Sequence, residues 1–185
     1  ALYRYTVPML SEDGSCSLIE EMDPTPYDLA VLLGGRSEEA TRRLQLLNRL
    51  VDRATAVTGA DWLGIYQARA RPDLPPALVK LAYRGRPSRA EFPLTPEFAQ
   101  GSTNSTVGLE GTARVIHDVA AYTAAGGGFY VCDDAVQSEA CLPLIAAGKV
   151  VGILDAEAAP RSFFTPRRLA VLVAACVLAP TLLPA

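Results

Sequence analysis

The sequence predicts an α+β domain, a central antiparallel sheet of about five or six strands with helices packed on one face, and three observations carry that prediction. An apolar stripe at helical spacing opens the main body, two apolar runs joined by a short turn form a hairpin late in the chain, and an apolar segment behind a Thr-Pro start closes it. With 185 residues, half of them hydrophobic, the chain suffices for one domain with a sizeable core and a short appendage.

Residues 1 to 36 read as the appendage. Leu2 to Met9 alternates loosely like a strand, a polar stretch runs from Ser11 to Ser15, and Thr25 with Pro26 predicts a short helix to Leu33, ended by Gly34 and Gly35. The domain proper spans residues 37 to 185. Ser37 is the expected N-cap of a long helix whose first turn carries Glu38 and Glu39, favourable at the positive end of the dipole, and Gly59 ends it. Within it Ala40, Leu44, Leu47, Val51 and Ala54 recur at spacings of four and three, a core-facing stripe that is also heptad-like. A homodimer through the terminal helices is therefore an expectation.

After Gly59 the period becomes two: Trp62, Gly64 and Tyr66 share one face of a strand and Leu63 and Ile65 the other. Leu78 to Tyr83 is a second strand, with Pro72, Pro75 and Pro76 marking a connecting loop. The Gly-, Pro-, Ser- and Thr-rich region from Arg84 to Gly111, GSTNSTVG at its polar extreme, reads as a loop or lid. Arg114 to Val119 is strand-like, and the glycine run up to Gly128 is a flexible approach to the next strand. Ala140 to Ile145 and Val150 to Glu157 form the hairpin about Ala147-Gly148-Lys149. Thr165 and Pro166 open the terminal helix.

A net charge of -3 leaves no basic excess to displace counterions from a polyphosphate, so no nucleic-acid partner is expected. The four cysteines lack a CxxC pairing and His117 is the only histidine, so no zinc site and no cofactor are expected. Free thiols in a reducing, cytoplasmic setting are the simpler reading, and no basic and apolar leader opens the sequence. The apolar run from Leu169 to Leu183 falls short of the roughly 20 residues of a membrane helix and contains Pro180, so it predicts packing on a core or a partner rather than in a membrane. Walker, GxGxxG, GxSxG and HExxH motifs are absent, which removes several enzyme classes.

Strand alternation puts Asp155 and Glu157 on one face, and Glu139, just before the partner strand, can face the same way. Each taken alone reads as a strand-end charge at the solvent edge; three together in an apolar hairpin point to a site. Their spacing matches no calcium-loop motif, and no metal is expected. Trp62 and Tyr66 read as core aromatics or, beside these acids, as the walls of a pocket suited to a small cation such as an amino-acid ammonium. Cys132, at a loop edge between Val131 and Asp133, is the cysteine placed for reactivity, whereas Cys141 and Cys176 read as buried small hydrophobes.

The run GGFYVCDDAVQSEACLPL from Gly127 to Leu144, GKVVGILDAE from Gly148 to Glu157 and DWLGIY from Asp61 to Tyr66 together resemble the signature of the free methionine-R-sulfoxide reductases of the GAF class. The resemblance implies the GAF fold, with a ligand pocket on the sheet face opposite the helices. It implies Cys132 as the catalytic thiol with Glu139 assisting protonation, and Trp62, Tyr66, Glu139, Asp155 and Glu157 as ligand contacts, Glu157 replacing an aspartate. It also implies two further thiols that this chain lacks: the stretch Ser102 to Ser105 reads STNS, with Asn104 where one would stand. Thiolate attack on a sulfoxide leaves a sulfenic acid that another thiol must condense with, so turnover would need Cys141 or an external thiol as resolving partner. The resulting expectation is a GAF domain that binds a small amino-acid-like ligand, as a sensor or non-enzymatic relative of the reductases; the alternative is an active reductase using Cys132.

Overall fold

The computed structural model describes residues 2–11, 16 and 21–185, so the polar stretch expected from Ser11 to Ser15 lies, beyond Ser11, outside the described residues. The appendage contributes a two-stranded ribbon, β1 (Arg4–Tyr5) against β2 (Tyr27–Asp28), followed by one turn of helix, α1 (Leu29–Leu32). Its cap is Asp28, whose carboxylate accepts from Ala30 N at 3.0 Å, rather than Thr25. Tyr27 pairs with Tyr5 in the ribbon, which holds residues 27 and 28 extended and delays the helix by three residues from the expected start.

Helix α2 (Glu38–Thr58) begins and ends where its sequence says. Ser37 Oγ accepts from Ala40 N, and Gly59 closes the helix in the left-handed conformation (φ 72°) that favours glycine. The whole stripe Ala40, Leu44, Leu47, Val51 and Ala54 is buried, packed in this chain's own core. Next come β3 (Trp62–Arg71), β4 (Leu74–Arg84), β5 (Glu91–Pro93), α3 (Pro96–Ala99), α4 (Thr103–Glu110), β6 (Arg114–Ile116), α5 (Val119–Ala124), β7 (Ser138–Ala146), β8 (Lys149–Ala158) and α6 (Pro166–Leu182).

The strands form one six-stranded antiparallel sheet in the order β5-β4-β3-β8-β7-β6. Helices α2 and α6 cover one face, burying Leu63, Ile65, Leu81, Leu142, Leu144 and Leu154 beneath them; α4 crosses the other face above β7 and β8. No helix among the described residues is long and apolar enough to cross a membrane. Helix α6 continues through Pro180 to Leu182 rather than stopping before it.

Three other expectations change. The connection after β3 is a tight turn at Pro72-Asp73, and Pro75 and Pro76 belong to β4. They sit at a register shift between Arg69 and Arg71, where a missing N–H breaks no ladder bond. The polar GSTNSTVG segment is largely the helix α4, capped by Ser102 Oγ on Ser105 N. The approach after β6 holds the short helix α5, capped by the Asp118 carboxylate on Ala121 N.

The central pair β3 and β8 is tightest at Gly152, where a side-chain carbon would collide with the carbonyl oxygen of Tyr66 on the neighbouring strand. Gly152→Ala is expected to destabilise the fold by about 2–3 kcal/mol, because the backbone rather than a flexible side chain would have to give. Urea unfolding checks it; a variant within 0.5 kcal/mol of wild type, the margin of an ordinary surface change, would refute the close approach.

Candidate functional site

Antiparallel register builds the site from β3, β8 and β7. Trp62 pairs with Glu157, Gly64 with Asp155 and Tyr66 with Ile153, while Glu139 pairs with Glu157 and Cys141 with Asp155. Since facing residues share a side of the sheet, Trp62, Tyr66, Glu139, Cys141, Asp155 and Glu157 all project away from the α2/α6 layer. Gly64 makes room: a side chain there would strike the Trp62 indole, which lies across it. Trp62, Tyr66, Cys132, Glu139, Asp155 and Glu157, joined by Ser88, Phe92, Thr103, Asn104 and Tyr130, enclose one narrow cavity.

The three acids stand with their oxygens within 4.8 Å of one another, Glu139 and Asp155 each only 2% exposed. Burial pushes the Glu139 carboxyl well above the usual carboxylate range, and the Asp155 and Glu157 charges push the same way. Glu157 is raised likewise, by burial first and by Asp155 and Asp133 next. Asp155 rises to about 7 through burial, opposed by hydrogen bonds from Asn104 and Glu139. Glu139 Oε2 and Asp155 Oδ1 receive no hydrogen bond from any N–H or O–H of the other described residues. The two carboxyls act on each other, which pushes Glu139 up toward its protonated form and holds Asp155 down. Asn104 Nδ2 donates to Asp155 Oδ2 at 3.2 Å, which places the STNS stretch directly on the acidic cluster. Three oxygen donors at this spacing suit a ligand ammonium or a hard cation, but protons held near neutral pH compete with the cation.

On the opposite wall Cys132 is 8% exposed and lies between two spaces: the inner cavity, and an outer groove lined by Asp61, Trp62, Arg86, Pro87, Asp133 and Val136. Its thiol shares a hydrogen bond with the thiol of Cys16, which, followed by burial, drives its pKa far upward; the backbone N–H of Arg89 pulls the other way.

Several participants escaped the sequence reading. Lys80 is fully buried, donates to Ser88 O at 2.7 Å and Ser88 Oγ at 2.8 Å, and lies over the rings of Tyr83 (4.2 Å), Tyr5 (5.0 Å) and Trp62 (5.8 Å). Burial lowers its pKa to about 7, while the nearby Cys132 and Glu157 favour its charge. The signal was present, a lone lysine inside the apolar run Leu78 to Tyr83. Arg89 packs behind the aromatic wall, 4.7 Å from the Phe98 ring and 5.1 Å from that of Tyr130, and donates to Tyr130 Oη at 2.9 Å. Cys141 is fully buried and takes no part in lining the cavity; Cys176 lies on α6, across the sheet. His117 is exposed, and Asp118 caps α5 and pairs with Arg161.

A six-stranded antiparallel sheet with helices packed on it is the GAF fold. The GAF domain model matches residues 42–179, and the chain belongs to that family. Among solved structures, it is similar to the type II free methionine-R-sulfoxide reductase of Thermoplasma acidophilum, at 17% identity with a TM-score of 0.66, covering 79% of this chain and 94% of that one. The free methionine-R-sulfoxide reductase of Neisseria meningitidis in complex with its substrate is 18% identical with a TM-score of 0.63, covering 83% and 82%. The GAF domain from an Acinetobacter phosphoenolpyruvate-protein phosphotransferase is 16% identical with a TM-score of 0.58, covering 76% and 80%. At these identities the likeness speaks to the fold. A comparison with curated proteins returns no match.

Proposed function

We propose that this GAF domain reduces free methionine-R-sulfoxide, with Cys132 as the attacking thiol. One observation carries the reading: a thiol, a deeply buried carboxyl and aromatic walls line the same narrow cavity. Trp62, Tyr66 and Phe92 give an apolar wall for a thioether and its methyl group. Asp155 and Glu157 hold the amino group, and an ammonium between them relieves their mutual repulsion. Glu139, whose carboxyl burial pushes toward its protonated form, donates a proton toward the sulfoxide oxygen as the Cys132 sulfur attacks the sulfoxide sulfur. The thioether leaves, and the oxygen remains on Cys132 as sulfenic acid. Lys80, whose pKa burial lowers to about 7 so that it is partly neutral at pH 7, is the base within electrostatic reach of the Cys132 proton.

A second reading, binding without turnover, is favoured by Asn104, which occupies the helix start with an amide engaged on Asp155 in place of a redox-active thiol. Incubation with free L-methionine-R-sulfoxide and dithiothreitol separates the two. Methionine accumulating beyond one equivalent supports the reductase. Saturable calorimetric binding with no methionine leaves a sensor that shares the pocket.

A further inference from the structure

We propose that Cys16, carried to the pocket by the N-terminal arm, is the resolving thiol of Cys132, so that the two form a disulfide in each cycle of the reaction above. The inference rests on the reductase reading for its substrate but not for its geometry.

The described residues at the base of the arm are anchored to each other and to the sheet. Arg4 Nε donates to Asp28 Oδ2 at 2.7 Å, Tyr5 Oη to Lys80 O at 2.7 Å, and Tyr27 Oη to Glu91 Oε1. Beyond the β1–β2 ribbon its two limbs stay paired: Asp23 N donates to Val7 O and Met9 N to Glu21 O, each at 2.9 Å, and the bridges Pro8 to Met22 and Leu10 to Cys16 continue the antiparallel course. Leu10 lines a groove with Arg89 and Ala90, beside the β5 edge. Arg89 in turn gives its backbone N–H to Cys132. The arm thus delivers Cys16 to the one site thiol, and the thiols meet in a hydrogen bond. Cys141, the other sulfur near the acids, is sealed in the sheet. The cluster also holds the Lys80 amine, which once it has taken the thiol proton stands beside the thiolate as a positive charge.

The chemistry balances. Attack by the Cys132 thiol converts the sulfoxide to the thioether and Cys132 to sulfenic acid. The Cys16 sulfur then attacks the Cys132 sulfur, the S–O bond breaks, and hydroxide leaves with the Cys16 proton as water. Two thiols have lost two electrons and the sulfoxide has gained them. A dithiol reductant, entering by the outer groove beside Cys132, returns the disulfide to two thiols.

The full chain, reduced and freed of reductant, is treated with one equivalent of hydrogen peroxide, which oxidises a thiol without involving any sulfoxide. Non-reducing peptide mass mapping is expected to show Cys16 and Cys132 joined, with the chain lighter by two hydrogens. In Cys16→Ser and Cys16→Ala the link disappears and Cys132 becomes trappable by dimedone as sulfenic acid. A Cys132–Cys141 link, or dimedone labelling of Cys132 in wild type to the same extent as in Cys16→Ser, overturns the inference. Repeating the experiment with free L-methionine-R-sulfoxide tests the parent reading separately. A Cys16–Cys132 link formed by peroxide but not by the sulfoxide upholds the thiol pair and defeats the reductase. Methionine formed in one equivalent with no link upholds the reductase and defeats the pair.

Discussion

Cys132→Ser is expected to lower methionine formation by on the order of 10³-fold or more, because a hydroxyl of ordinary acidity cannot replace the thiol as nucleophile and cannot accept the sulfoxide's oxygen reversibly. The loss should fall on chemistry rather than on folding. Serine is close to cysteine in volume, the site is 8% exposed, and the serine hydroxyl can keep the hydrogen bond to Cys16, so a change within about 1 kcal/mol in unfolding free energy is anticipated. Ligand affinity should persist, since Trp62, Tyr66 and the acids are untouched. Turnover and calorimetry on the one variant therefore read different parts of the site. Undiminished methionine formation in Cys132→Ser would assign the chemistry to dithiothreitol or another residue and end the reductase proposal. A low basal rate in wild type would itself be informative: the thiol is held protonated at rest, so the rate should climb with pH as Lys80 or the ligand draws the proton away.

What the sequence made legible are the features set by local rules. Ser37 and Gly59 bound α2 because a cap hydroxyl and a left-handed glycine are recognisable without context. The two faces of β3 and the β7–β8 hairpin follow from period-two alternation, with Ala147 (φ 48°) and Gly148 (φ 73°) turning the chain. The acids converged as alternation demanded. The STNS stretch misled because Ser, Thr and Asn are weak helix formers read out of context. In α4 their side chains find partners that no local pattern reveals: Ser105 Oγ on Pro93 O, Thr106 Oγ1 on Ala99 O and Asn104 on Asp155. Tertiary hydrogen bonds, rather than propensity, hold that helix. The same limit hid Cys16. Its meeting with Cys132 depends on how the arm runs along β5, and nothing in the residues around either cysteine encodes it.

The acidic cluster carries a stability consequence of comparable size. Asp155 titrates near 7 in the fold against 3.8 for an ordinary aspartate, so between those values the folded chain holds a proton that the unfolded chain releases. The contribution of this group is fully present below about pH 4 and is lost as pH rises through about 7. The difference between 3.8 and about 7 bounds the loss at about 4 kcal/mol. Lys80 runs the opposite way: lowered from 10.5 to about 7, it costs stability while the unfolded chain binds the extra proton, and that cost fades as pH rises from 7 toward 10.5. Together the two groups place a stability minimum near neutral pH in the unliganded protein. Asp155→Asn cannot ionise and keeps a carbonyl oxygen able to accept from Asn104 and from the Glu139 carboxyl. It should therefore exceed wild type by about 2–4 kcal/mol at pH 8, with the difference shrinking to about 1 kcal/mol or less at pH 4.5. Urea unfolding at the two pH values measures this. Parallel profiles for the two proteins would mean that Asp155 is not the titrating group and that the proton sits elsewhere in the cluster. If the proposed ligand binds here, the variant should also bind an amino-acid ligand more weakly at pH 8, because the charge that destabilises the empty fold is the one that an ammonium would neutralise.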